Sequence, residues 1–300
     1  MEDHVRSIRT DLALEARQLW REQTEDTAEL PGVRARETER RGFQVTTVSV
    51  LDAEGEKALC KPKGEYVTLE LDKLLRREEN AFADCAAVLA EILRSLLGDG
   101  ARRFLVVGLG NETITPDAIG PWTLESLLVT RHLKEQGYAE FENFSSVSAL
   151  RCGVLGTTGL EAARLAALAA GEVKPDAVIA VDALASRDPD RLCRTVQISD
   201  TGIVPGSGVG NSRSELSRRT LGVPVIAIGV PTVVDAATLA ADLARKAGVE
   251  LAPEAIPATG MMVTPRDIDR GAHDAAKLVG YALDLALHPG LTVEDIDMLL

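Results

Sequence analysis

Aromatic residues are scarce in this chain: Phe, Tyr and Trp together make up 3% of its 300 residues. Its core must therefore be built from Ala, Leu and Val, and at 45% hydrophobic the chain has enough of them for ordinary globular folding. Cysteine is sparse as well. Cys60, Cys85, Cys152 and Cys193 stand far apart with no Cys-x-x-Cys pair, which points away from a zinc site or a disulfide framework and towards a reducing compartment. No apolar run approaches the ~18 residues that a membrane helix needs. The start, Met1 to Thr10, is charged and lacks the apolar segment of a secretory signal, so a soluble, cytoplasmic protein is expected. An excess of basic residues is also missing. A net charge of -13 argues against a surface that holds nucleic-acid phosphates, though not against a substrate that itself binds DNA. Internal repeats and low-complexity stretches are absent.

What is present is an alternation of strand and helix patterns. The first 42 residues are dense in charge and read as an N-terminal arm with a short helix near Leu12–Glu22. Phe43–Leu51 and Tyr66–Leu71 have strand character, and Ala81–Leu97 repeats apolar residues at helical spacing. Phe104–Leu109 is a continuous apolar run of the kind buried on both faces of a parallel sheet. A helix is expected over Thr123–Gln136, a strand at Ser146–Leu150 and a helix at Leu160–Ala170. Further strands are expected at Ala177–Val181, Thr195–Ile198 and Val223–Ile228. Helices follow at Val234–Ala247, stopped by Gly248, and from Thr264-Pro265-Arg266-Asp267 to about Leu287. This order predicts a single α/β domain around a mainly parallel sheet.

Reactive groups in such sheets gather beyond the carboxyl ends of the strands. Asp117, in the loop after the first apolar strand, and Asp182, ending the strand Val178–Asp182, occupy such places. If the strands are neighbours, the two carboxylates share a crevice, resist ionising together and can divide acid and base roles. The plainer reading, Asp117 as a helix cap and Asp182 as a strand terminus, fits the spacing equally well. Asp200-Thr201-Gly202 spells the tripeptide of pepsin-like proteases, but the chain has no second copy and is not β-rich. Gly108-Leu109-Gly110 and Gly206–Gly210 lack dinucleotide-loop spacing. Backbone amides around Gly206, Ser207, Gly208 and Asn211 are candidates for an oxyanion or substrate loop. A Cys152–His132 pair is a weak nucleophile scheme, and no histidine stands in the crevice loops to complete a metal site, so no metal and no organic cofactor are expected.

Longer motifs then carry a resemblance. Gln197-Ile-Ser-Asp-Thr-Gly-Ile-Val-Pro-Gly-Ser-Gly-Val-Gly-Asn211, Val225-Ile-Ala-Ile-Gly-Val-Pro-Thr-Val-Val-Asp235, Ile179-Ala-Val-Asp-Ala-Leu-Ala185 and Val106-Val-Gly-Leu-Gly-Asn111 with Thr115-Pro-Asp117 resemble the signatures of the germination (spore) proteases. The resemblance runs from Arg9 to Pro265. It implies a three-layer α/β/α fold similar to the hydrogenase-maturation proteases, a homo-oligomer (a tetramer), and hydrolysis of small acid-soluble spore proteins in the spore core. By motif, the family's two proposed catalytic aspartates fall on Asp117 and Asp182. The family is made as a zymogen that trims itself, and its substrates are cut after the first Glu of a Thr-Glu-(Ile/Phe)-Ala-Ser-Glu type sequence. Thr10-Asp11-Leu12-Ala13-Leu14-Glu15 is a near copy, which implies a propeptide 1–11, a cut between Asp11 and Leu12, and a single peptidase domain over 12–300. The same residues also read simply as a helix start. Three departures stand out: a shortened segment near Gly248–Met261, Val204 where relatives often have His, and Cys152 in place of a typical Pro. Two alternatives remain beside this reading: a metal-dependent peptidase like those that mature hydrogenases, and a non-catalytic relative that binds spore proteins.

Overall fold

The computed structural model describes residues 9–24, 30–206, 214–249 and 260–300. Within them one sheet organises the chain, in the order β1 (Val33–Arg40), β2 (Phe43–Val50), β3 (Gly64–Glu70), β7 (Thr195–Ser199), β8 (Val225–Asp235), β6 (Ala177–Ser186), β4 (Arg103–Leu109), β5 (Ser146–Gly153). A short β9 (Met262–Val263) pairs with the end of β8. The α/β class agrees with expectation, but the sheet is mixed rather than mainly parallel. Only the pairings among β5, β4, β6 and β8 are parallel. The pairings of β1 with β2, β2 with β3, β3 with β7, and β7 with β8 are antiparallel.

Period-two burial sets the layers. Phe104 and Val106 of β4, with Ile179 and Val181 of β6, face the helices Ala81–Leu97 and Ile268–Leu287. Leu105, Val107 and Leu109, with Val178 and Ala180, face the helix Ala162–Val173 on the other side. Strands buried on both faces lose the polar alternation of a half-exposed strand, which is why these two read as plain apolar runs. Among the described residues, no helix is long and apolar enough to cross a membrane.

The departures from the sequence reading have local causes. β1 was hidden because its sequence, Val-Arg-Ala-Arg-Glu-Thr-Glu-Arg, is charged; it is an edge strand, where charge discourages pairing with other chains. It joins β2 through a two-residue turn, Arg41-Gly42, with φ of 48° and 77°. Positive φ at both positions is the turn whose twist matches a hairpin. The helix expected over Thr123–Gln136 is broken into Ile119–Thr123, a 3₁₀ turn Leu124–Ser126 and Arg131–Glu135. Tertiary bonds pull the intervening residues straight: Leu128 N–H donates to Asp284 Oδ1 at 3.0 Å, and Thr130 N–H donates to the Val147 carbonyl at 3.1 Å. The strand read as Val178–Asp182 also continues to Ser186, so Asp182 lies within β6 and does not end it.

Candidate active site

β8 is the seam of the sheet, parallel to β6 on one side and antiparallel to β7 on the other. Gly229 of β8 pairs with Asp182 of β6 and with Gln197 of β7. Cross-strand partners project to the same face, so Asp182 and Gln197 flank a position without a side chain, roughly two strand spacings or ~10 Å apart along the backbone. A Cβ on Gly229 would come within 2.3 Å of the Leu184 side chain. Above this row opens a cavity of about 670 Å³, lined among others by Asp11, Lys61, Asp117, Asp182, Gln197 and Gly229.

Asp117 reaches the cavity from the loop after β4, at the end of a 3₁₀ turn spanning Thr115–Asp117. Its N–H donates to the Ile114 carbonyl at 2.7 Å, and its Oδ2 accepts from the Asn111 N–H at 2.8 Å. Thr232 Oγ1 holds the Pro116 carbonyl at 2.6 Å, tying this turn to β8. Two glycines allow the fit. Gly110 has φ of 102°, and a Cβ there would lie 2.0 Å from the Asp117 carbonyl oxygen; one on Gly120 would lie 2.5 Å from the Val181 carbonyl. The loop thus packs directly on the β4–β6 edge beside Asp182, which is 6% exposed and accepts from the Ala183 N–H at 2.9 Å. β4 and β6 are neighbours, and the structure brings Asp117 and Asp182 to one cavity.

The third group in the cavity belongs to the N-terminal arm. Asp11 N–H donates to the Ala185 carbonyl at 2.9 Å, and Asp11 Oδ2 accepts from the Ala185 N–H at 2.9 Å. The Asp11 carbonyl accepts from Lys61 Nζ at 2.9 Å and Gln197 Nε2 at 3.2 Å. Leu12 and Ala13 are fully buried, and Ala13 opens the helix Ala13–Thr24. That helix is anchored by Glu15, whose buried carboxylate accepts from Ser186 Oγ at 2.7 Å, Arg187 N–H at 2.7 Å and Asp188 N–H at 3.0 Å, and from Thr10 Oγ1. Farther along, Arg187 bonds Asp242 at 2.6 Å and Glu22 at 3.0 Å. Burial alone would raise the Asp242 pKa, but Lys246, Arg187 and Arg245 together hold it down at about 2.

The other sequence candidates divide: Thr201, Gly202 and Gly206 line the cavity, while Asp200, Cys152 and His132 are not among its lining residues. Asp200 accepts the Glu65 N–H at 2.8 Å, a bond that ties the end of β7 to β3. Cys152 is 2% exposed with its thiol pushed up to about 11 by burial, so it is protonated at neutral pH, the wrong form for a nucleophile. His132 sits exposed on its short helix. Gly206 lines the cavity in a left-handed conformation, φ 72°. Ser207, Gly208 and Asn211 lie outside the described residues. Lys61 and Gln197 were not singled out. Lys61 follows the left-handed C-cap Cys60 (φ 51°) in a loop with no sequence signature, and Gln197 reads only as the polar member of a strand.

Comparison with known proteins gives a consistent result. A family model described as germination protease matches residues 13–246. A germination protease of Caldanaerobacter subterraneus subsp. tengcongensis is 43% identical, with 99% of this chain aligned to 99% of that protein. One from Clostridium tetani is 42% identical over 97% of this chain and 98% of that protein. One from Oceanobacillus iheyensis is 46% identical over 78% of this chain and 66% of that protein.

Proposed function

The chain belongs to the germination protease family, and from that premise we propose that it is an endopeptidase that begins the degradation of small acid-soluble spore proteins. In this reading it is made as a zymogen, cuts its own Asp11–Leu12 bond, and uses Asp117 and Asp182 to activate water. The observation that carries the reading is the shared cavity: it is lined by both carboxylates and by Asp11, the residue before the bond to be cut.

The chemistry follows from having two carboxyl groups in one crevice. One keeps its proton and donates it towards the scissile carbonyl; the other, ionised, takes a proton from water as the water oxygen adds to the carbonyl carbon. The tetrahedral adduct collapses when the C–N bond breaks and the leaving nitrogen takes up a proton. A free carboxylate on Asp11 and a free amine on Leu12 result. The enzyme works as a homo-oligomer, a tetramer, in the spore core, and its substrates present an acidic residue followed by an apolar one, as Asp11 and Leu12 do.

Intact mass tests this directly. Full-length wild type and Asp182→Asn are weighed before and after mildly acidic incubation, with and without a chelator. The expected result is loss of residues 1–11 from the wild type alone, chelator or not. Equal loss from both proteins would remove Asp182 from the mechanism. Chelator-sensitive loss would favour the metal-dependent alternative.

A further inference from the structure

A protease must stabilise the oxygen of the carbonyl under attack as well as activate water. The Asp11 carbonyl oxygen already accepts from two side chains, Lys61 Nζ at 2.9 Å and Gln197 Nε2 at 3.2 Å. Both donors are held in place. The Gln197 amide also accepts the Ala13 N–H through Oε1 at 2.8 Å, so one side chain grips the main chain on both sides of the Asp11–Leu12 bond. Its backbone is fixed in β7 between Thr68 of β3 and Gly229 of β8. The loop bearing Lys61 is tied by Tyr66 Oη, which donates to the Pro62 carbonyl at 2.9 Å, and by the Lys63 N–H, which donates to Glu56 Oε1 at 2.9 Å.

Resting on the reading proposed above, we propose that Lys61 and Gln197 are catalytic residues that form the oxyanion site, holding the carbonyl oxygen of the residue before the scissile bond, while the backbone of Ala185 reads that residue's acidic side chain. As water adds to the carbonyl carbon, negative charge grows on the oxygen. An ammonium and an amide N–H aimed there stabilise the adduct more than the planar peptide, which is the requirement for rate acceleration. Ala185 supplies the specificity: it donates its N–H to the Asp11 carboxylate and accepts the Asp11 N–H, and Lys61 lies close enough to add a charge that favours an acid over an amide. Burial lowers the Lys61 pKa and so works against the ammonium, and the Asp11 carboxylate, first among the charges that oppose this shift, favours it.

The test compares first-order scission of full-length wild type, Lys61→Met, Lys61→Arg, Gln197→Met and Asp182→Asn by intact mass, with the melting temperature of each. Lys61→Met and Gln197→Met should each slow scission roughly a hundred-fold or more, with Lys61→Met melting at or above wild type and Gln197→Met melting below it, because the buried Ala13 N–H loses its acceptor. Lys61→Arg, which keeps a cation, should recover at least ten-fold over Lys61→Met. On a spore-protein substrate, the processed forms of the two Met variants should lose kcat with KM little changed, a split that a merely structural role would not give. Scission at wild-type rate in both Met variants, with Asp182→Asn inactive, would overturn this assignment and leave the protease reading standing. A wild type that is never cut at Asp11–Leu12 would overturn both.

Discussion

Replacing either Asp117 or Asp182 by Asn is expected to slow scission of the Asp11–Leu12 bond by about 10³- to 10⁴-fold, and replacing both should slow it little further. The near-saturation follows from the division of labour. A carboxylate that takes the proton of water is useless without a partner acid at the carbonyl, and the reverse also holds, so either loss removes the whole step. Asn is close in shape and still offers an oxygen to the Asn111 N–H at position 117 and to the Ala183 N–H at position 182, so folding should survive. The measurement is the first-order rate of mass loss for the two single variants and the double variant, beside the melting temperature of each. Losses that multiply, with the double variant slower than either single one by another 10³-fold, would show two independent roles in place of a dyad. The pH–rate profile of the wild type should have an acidic and a basic limb, as two carboxyl groups sharing a proton titrate in two steps.

The second large effect concerns stability and lies away from the cavity. Asp284 and His288, one turn apart at the end of the helix Ile268–Leu287, are 0% and 1% exposed. Burial pushes the Asp284 carboxyl up to about 8, only partly opposed by the Leu128 N–H, and pushes His288 down to about 4. Phe144 lies against the His288 ring, and Lys134 is the cation near enough to lower the His288 pKa further. The signs are opposite. Asp284 is protonated in the fold when the unfolded chain has already lost that proton, so its contribution is complete below about pH 4 and is lost as pH rises towards 8. His288 is neutral in the fold when the unfolded chain would charge it, so its contribution is complete above about pH 6.5 and is lost as pH falls towards 4. Asp284→Asn removes this titration and retains an acceptor for the Leu128 N–H. It should therefore be more stable than wild type by a few kcal/mol at pH 8, with the gain fading towards pH 5. Denaturant melts at both pH values check this, and a gain independent of pH, or a loss that grows with pH, would refute the assignment.

The sequence made the buried parts of this molecule legible and left the rest obscure. Ala81–Leu97 was readable because one face packs against the sheet and the other meets water, so helical spacing survives in the letters. β4 and β6 were readable because both faces are covered. Asp117 and Asp182 stood out because of their places beside the ends of apolar strands and because the motif resemblance falls on them, and the structure lines one cavity with both. β1 was missed because an edge strand needs no apolar alternation. The straightened residues 127–130 were missed because Leu127 and Leu128 keep helical spacing while bonds to Asp284 and Val147 decide their backbone. Lys61 and Gln197 went unseen for a different reason: a lysine in a loop and a glutamine in a strand are ordinary, and only their meeting at one carbonyl gives them meaning.

The Asp11 main chain is bonded to Ala185, Lys61 and Gln197 of the same chain, and on the reading proposed above this makes the first cut a unimolecular event. A bond carried to its own cavity by a covalent tether breaks at a rate set by geometry, without waiting for an encounter. Maturation should then have the same half-life in a dilute solution and in a packed compartment, at any concentration that keeps the oligomer assembled. Cleavage of every later substrate depends on abundance and diffusion. On that reading the same cavity would work first as a clock that runs independently of encounter, and afterwards as an enzyme whose output scales with its supply.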